Sequence, residues 1–388
     1  MASKIPSRDR SFERDRAMVS QGEWREELHR RRRQAWAIME RNECDSALVF
    51  GSGEHAQSFR YLTNFVPVLG DMWAIMAGPS HIECILTFHW QLDEARKRSG
   101  IDAWTGEFDP LPAVLDILSA SSPKRVAVIE LDRLPASAYV ALTSGLPGVS
   151  LVDLGPEFTA LRRRKSSLEV RLLREAARIT DTALDQVRAT LKPGLTEHEI
   201  AATIGYFIRG QGAELAFCPG VISGVDEPVI MRQPTGRHLQ VGDTVMVDIG
   251  ASYEGYQSDV SRTFVLGTPT PTQQKVWRTV LSAYNAALEL ARSGIPCNHL
   301  HAAAQKAIED AGYRLLHRVG HGVGLATSYE WPSLDTETAL LQEGMTLALE
   351  PGIYVQGAGS MKLEDDILIT KDGPKNLSRS SHELIVHI

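Results

Sequence analysis

Asp248, Asp259, His321, Glu350 and Glu364 stand in settings that packing alone does not explain. Asp248 closes an apolar run, Val245-Met246-Val247, in a strand predicted over 244–249, and Gly250 follows. After a turn rich in Gly and Tyr, a second strand carries Asp259 into Val260, Ser261, Arg262, Thr263 and Phe264. A carboxylate is costly to bury unless it is paired or binds a cation, so two acids on adjacent strands can face one point for a purpose. His321 lies in a Gly-rich segment, Glu350 precedes Pro351-Gly352, and Glu364 falls in an apolar strand predicted over 361–369. Four carboxylates in one pocket cannot all ionise without cations, because like charges raise one another's pKa. Two divalent metal ions relieve that repulsion and create a bridging water of lowered pKa, placed to attack a carbonyl. Mn, Zn, Fe and Co all suit such a ligand set. Taken singly, Asp248 would cap a turn, and Glu364 with Asp365 and Asp366 would form an exposed acidic patch. Together the five point to a metallohydrolase-type site on a curved sheet.

The elements that must hold these residues fall into two domains, residues 1–160 and 161–388. The first opens with a polar arm (Arg8, Arg10, Glu13, Arg14, Asp15, Arg16), disordered or lying along a partner subunit. A helix is predicted over 24–42, with Leu28, Trp36 and Met39 on its apolar side and the basic run 30–33 mostly solvated. Strands over 46–50, 73–76, 82–87 and 125–129, with helical pieces over 89–98 and 111–120, make this an α/β domain. The segment Arg60-Tyr61-Leu62-Thr63-Asn64-Phe65 is expected to expose aromatic and amide groups before a Pro-containing turn. Trp73, Trp90 and Trp104 are each expected in core packing.

In the second domain Leu168, Leu172, Leu173, Ala176, Ile179, Ala183 and Leu184 recur at helical spacing over 167–191, and Pro193-Gly194 stops that helix. Thr196 with Glu199 forms a capping box for the next, and Ile200, Ile204 and Ile208 form its buried stripe. Two further helices are predicted over 271–294 and 300–311, then strands over 346–350, 353–355 and 361–369. Two helices before and two after a first pair of strands is an arrangement that two related ααββ units would produce, although the halves show no sequence identity.

At 388 residues with 43% hydrophobic and 23% charged residues, this is the composition of an ordinary globular protein. A net charge of −7 gives no electrostatic case for nucleic acid or an anionic membrane surface. Cys44, Cys84, Cys218 and Cys297 lack metal-ligand spacing and read as reduced thiols. No signal-like segment and no long apolar span is present, so a cytoplasmic location is expected.

The strings Val247-Asp248-Ile249-Gly250, Asp259-Val260-Ser261-Arg262-Thr263, His317 through His321-Gly322-Val323-Gly324, Glu350-Pro351-Gly352 and Leu363-Glu364-Asp365 resemble the pita-bread metallopeptidase superfamily. That superfamily contains prolidase, Xaa-Pro aminopeptidase, methionine aminopeptidase and the non-peptidase creatinase. The resemblance runs from about residue 167 to 369 and implies an α+β pita-bread catalytic domain behind a smaller N-terminal α/β domain of creatinase/prolidase type. It implies that Asp248 binds one ion bidentately, that Asp259 and Glu364 bridge two ions, and that His321 and Glu350 complete one of them. Glu350 would also act as general base, and His317 would contact substrate. Family members with this N-terminal domain are commonly dimers, so a homodimer is expected, with the arm and the 61–64 loop available to a neighbour's pocket.

Departures from the family pattern concern the substrate shell. Met231, ahead of Pro234-Thr235, stands where the peptidases have a histidine, and Ser328 stands where they have another. Lys362 replaces an arginine two residues before the last glutamate. Arg232, Ser328, Tyr329 and Lys362 are the candidates for a different polar shell, with Arg232 or Lys362 meeting an anionic substrate group. The resulting expectation is a metal-dependent hydrolase cutting a C–N bond in a small molecule or short peptide. A metal-dependent lyase of the same fold, or a binding protein with a fossil site, are the alternatives.

Overall fold

A computed structural model describes residues 19–53, 55–326 and 330–386. The polar arm therefore lies outside the described residues, as do Ser328 and Tyr329. The chain divides into two compact units, Val19–Arg163 and Arg164–Ile388.

The smaller unit is a six-stranded mixed sheet made of β1 (Ser46–Ser52), β2 (Asp71–Met76), β3 (Ile82–Leu86), β4 (Trp104–Gly106), β5 (Arg125–Ile129) and β6 (Ser150–Asp153), in the order β4-β3-β2-β1-β5-β6. β1 pairs antiparallel with β2 and parallel with β5. β1 is apolar on both faces, as a central strand covered by helices must be. Leu48, Phe50, Trp73, Ile75, Ile85, Val114 and Leu118 make the core on one side of it.

Three expectations for this unit are corrected. The basic run is not mainly a wet face, since Arg31 and Arg32 are buried. Arg31 Nη1 donates to Tyr61 O (3.2 Å), Arg32 Nε to Leu62 O (3.0 Å) and Arg32 Nη2 to Ser99 O (2.8 Å). Those carbonyls end the helices Gln57–Thr63 and Leu92–Ser99, where the last turn leaves acceptors without intrahelical partners. For the same reason the segment 60–65 is not an exposed loop: Tyr61, Leu62, Thr63, Asn64 and Phe65 are all buried around that helix end. Trp73 and Trp104 are core residues, but Trp90 is 61% exposed.

The larger unit repeats one pattern twice. Helices Ser167–Thr190 and Glu197–Gly210 precede a meander of Gly220–Ser223, Thr244–Ile249 and Val260–Leu266, adjacent and antiparallel in that order. Helices Pro271–Leu290 and Cys297–Asp310 then precede a second meander of Gly320–Gly322, Thr346–Leu349 and Asp365–Thr370, again adjacent and antiparallel. Ser166/Glu169, Thr196/Glu199 and Thr270/Gln273 form capping boxes at three of the four helices. The unit is thus ααβββ in duplicate, one strand per half more than ααββ. The strand predicted over 361–369 is also divided: Gly359–Lys362 pairs with Gly352–Val355, and Asp365–Thr370 joins the second meander. Glu364 sits at the break.

Candidate metal centre

The meanders deliver the five ligand-type residues to one place. Asp248 lies opposite Ser261 in the register of Thr244–Ile249 with Val260–Leu266, so the chain turns between them and brings Asp259 back beside Asp248. The turn closes tightly: a Cβ on Gly250 would stand 2.0 Å from Ser258 O, which only glycine avoids. In the second meander His321 is opposite Ala348, and Glu350 follows that strand with its N–H bonded to Val319 O (2.8 Å). Glu364 joins the two meanders through its N–H to Ser261 O (3.1 Å). Arg262, fully buried, fixes the same stretch by donating to Glu364 O (2.5 Å) and to Asp365 Oδ1 (2.6 Å). Asp365 and Asp366 are buried braces, since Asp365 pairs with Arg262 and His382, and Asp366 accepts the N–H of Asp259 (3.1 Å).

All five are buried. Asp259, His321 and Glu364 each offer a ligand atom, and the three atoms lie within 4.8 Å of one another. His321 Nδ1 faces Gly322 O at 2.9 Å, so that nitrogen carries the proton and Nε2 is the free donor atom. Nε2 is 3.5 Å from both Asp259 Oδ2 and Glu350 Oε1. Asp248 Oδ1 and Glu364 Oε1 are buried with no hydrogen-bond partner, a costly state that a coordinated cation would relieve. The residues present therefore fit a metal ion.

The electrostatics agree. Burial, reinforced by Asp248, pushes the Asp259 carboxyl well above its usual range, and burial with Asp259 does the same to Glu364. Burial would also raise Glu350, but Lys362, His321 and His317 outweigh it and hold it at about 2. Burial shifts His321 and His317 down, which favours the neutral imidazole that a metal ligand requires.

A cavity of about 630 Å³ opens onto Asp248, Asp259, His321 and Glu350. His317, Met231, Arg232 and Lys362 also line it. His317 Nδ1 is 2.6 Å from Arg318 O and Nε2 is 2.8 Å from the Tyr354 hydroxyl, so both nitrogens are engaged. Arg232 does not offer a free guanidinium: it grips the buried carboxylate of Glu197 at 2.6 and 2.8 Å. Lys362 points inward, with Nζ 2.7 Å from Asp248 Oδ2 and 3.0 Å from both Glu350 Oε2 and Glu364 Oε2. Tyr354 and Glu197 were not legible as site residues. Tyr354 lies only two positions beyond Glu350-Pro351-Gly352, whereas Glu197 looks like an ordinary first-turn acid.

Residues 171–371 match the model of metallopeptidase family M24, and residues 31–164 match the creatinase/prolidase N-terminal domain. An Xaa-Pro dipeptidase of Pyrococcus horikoshii is 36% identical over 229 residues, which is 58% of this chain and 65% of that protein. The crystal structure of the prolidase from Pyrococcus horikoshii superposes with a TM-score of 0.83 at 27% identity, covering 92% of this chain and 100% of that one. An Xaa-Pro dipeptidase structure from Bacillus anthracis gives a TM-score of 0.83 at 26% identity, with coverages of 93% and 100%. With two ααβββ halves enclosing buried acids and an imidazole, and a family match over more than half its length, the chain belongs to metallopeptidase family M24.

Proposed function

We propose that this chain is a metal-dependent hydrolase that cleaves a C–N bond, an amide or peptide-like linkage, in a small molecule or short peptide. The observation that carries this reading is the buried Asp259, His321 and Glu364 cluster beside a cavity of small-molecule size. Asp248, Asp259, His321, Glu350 and Glu364 would hold two divalent ions. When bound, such ions polarise the scissile carbonyl and lower the pKa of water. Glu350, a buried carboxylate that lines the cavity, takes the proton of the attacking water and passes it to the leaving nitrogen. His317 holds the Tyr354 hydroxyl at the cavity wall.

Met231, half-exposed at that wall, has no proton to give, which weighs against Xaa-Pro dipeptides as the preferred substrates. The test is a panel of dipeptides and small amides offered to metal-depleted and reconstituted protein, with products identified by mass. Two fragments that sum to substrate plus water, formed only after metal is restored, are expected. An unsaturated product without added water would replace this reading with the lyase. Met231→His is expected to raise Xaa-Pro cleavage, and no gain would place that limit elsewhere in the pocket.

We also infer a homodimer in the cytoplasm. Phe88 stacks on Trp90 (4.3 Å between centroids) in an exposed patch with Phe108 on the smaller unit, an apolar surface suited to a second copy. The four cysteines are free thiols, in keeping with a reducing compartment. Among the described residues no helix is long and apolar enough to cross a membrane.

A further inference from the structure

The centre already contains a cation of its own. Lys362 is buried, and its ammonium stands among three of the five ligand-type side chains, at 2.7 Å from Asp248 and 3.0 Å from Glu350 and Glu364. Its backbone leaves little room to drift: Lys362 N–H donates to Thr263 Oγ1 (3.0 Å), Thr263 Oγ1 donates to Lys362 O (2.9 Å), and Lys362 is opposite Gly352 in the strand pair. Asp259 and His321 are not among the ammonium's partners. The arrangement is therefore lopsided. One side of the centre, built on Asp259, His321 and Glu364, presents ligand atoms to an incoming ion, while on the Asp248 side Oδ2 is already held by the ammonium and only Oδ1 has no partner.

A first-row divalent ion takes carboxylate oxygens at about 2.0–2.2 Å. An ammonium hydrogen-bonded to Asp248 Oδ2 and Glu350 Oε2, and 3.0 Å from Glu364 Oε2, fills that position, and the two positive charges repel. We propose that Lys362 is a tethered cation at the Asp248 side, so that divalent ions load in order. The first enters at Asp259, His321 and Glu364 with the ammonium in place. The second binds only by displacing the ammonium from Asp248, Glu350 and Glu364, toward the cavity that Lys362 lines. This rests on the two-ion reading and states which residue sets the second affinity. Glu364 suits the division, because its Oε2 lies 3.0 Å from the ammonium without a hydrogen bond and its Oε1 has no partner, which leaves both oxygens open to an ion.

The experiment is titration of the metal-depleted full chain with Mn²⁺ alone, read by elemental analysis after equilibrium dialysis and by electron paramagnetic resonance. It compares wild type with Lys362→Met, Lys362→Gln and Asp248→Asn. Wild type is expected to bind one equivalent with the spectrum of an isolated ion, and a second only at much higher Mn²⁺ with an exchange-coupled spectrum. Lys362→Met is expected to tighten the second equivalent at least about tenfold, more than it changes the first. Lys362→Gln keeps the test open should the methionine variant misfold, and Asp248→Asn is expected to abolish the second equivalent while keeping the first. Two equivalents with superimposable isotherms in wild type and both Lys362 variants would overturn the proposal and leave the two-ion reading standing. A single equivalent in both Lys362 variants would overturn it as well. Absence of any bound ion in every protein would remove the two-ion reading itself.

Discussion

Replacing Glu197 by Gln tests how the cavity wall is held. Glu197 is fully buried at the start of the helix Glu197–Gly210, and its carboxylate accepts six hydrogen bonds. Two come from Arg232 (2.6 and 2.8 Å), two from the N–H and hydroxyl of Ser223 (2.8 and 2.7 Å), and two from the N–H and hydroxyl of Thr235 (2.8 and 2.7 Å). Burial raises its pKa, but Arg232, Ser223 and Thr235 prevail and bring it from the ordinary 4.5 to about 2. At about 1.4 kcal/mol per tenfold change, that displacement corresponds to about 3 kcal/mol of stability at neutral pH. Removing one partner of a buried ion pair independently costs about 3–5 kcal/mol, and the partial exposure of Arg232 favours the lower end. Because the folded pKa is the depressed one, the contribution is complete above pH 4.5 and is lost as pH falls toward about 2. Urea unfolding of wild type and E197Q at several pH values measures it: the gap between them should be about 3 kcal/mol at pH 7 and shrink steadily below pH 4.5. R232M should lose a similar amount, and the double variant should fall well short of the sum. A gap under about 1 kcal/mol at pH 7, or one indifferent to pH, would refute the reasoning. So would an R232M variant of full stability that lost only affinity for anionic substrates.

Asp259→Asn should lower bound metal well below two ions per chain, and unchanged content by elemental analysis would remove Asp259 from the ligand set. Tyr354→Phe removes the hydroxyl that His317 engages and should lower kcat more than stability; an unchanged kcat would exclude a role for that pair. Gly322→Ala would place a Cβ 2.0 Å from the backbone carbonyl of Trp331, so a loss of about 3 kcal/mol or more is expected in the urea transition, and a stable variant would show that the segment yields.

The second domain was readable because its signals are local and agree with one another. Capping boxes mark helix starts, and buried carboxylates in apolar strands have few structural uses. Short motifs therefore singled out Asp248, Asp259, His321, Glu350 and Glu364 without any long-range information, and all five are buried. For the charged side chains, what spacing did not show was partnership. Arg31 and Arg32 look solvated until two helix ends some thirty and seventy residues away supply their acceptors. Arg232 looks available for substrate until Glu197 is found opposite it. Lys362 reads as a substitution in the substrate shell, yet its ammonium lies among the acids. Charged side chains are paired by tertiary distance, which sequence spacing does not encode. The division at Glu364 was missed because one apolar run served two sheets.

The duplicated ααβββ layout makes the centre a joint. Asp248 and Asp259 come from the first half, and His321, Glu350 and Glu364 from the second, so neither half carries all five ligand-type residues. An ion that binds only the assembled site adds its binding free energy to the cohesion of the halves, about 2.7 kcal/mol when present at 100 times its dissociation constant. The metal would thus act as a rivet as well as a reagent. A chain severed in the short link between Leu266 and Pro271 would have in that rivet a reason to reassemble, and a chelator would loosen the seam.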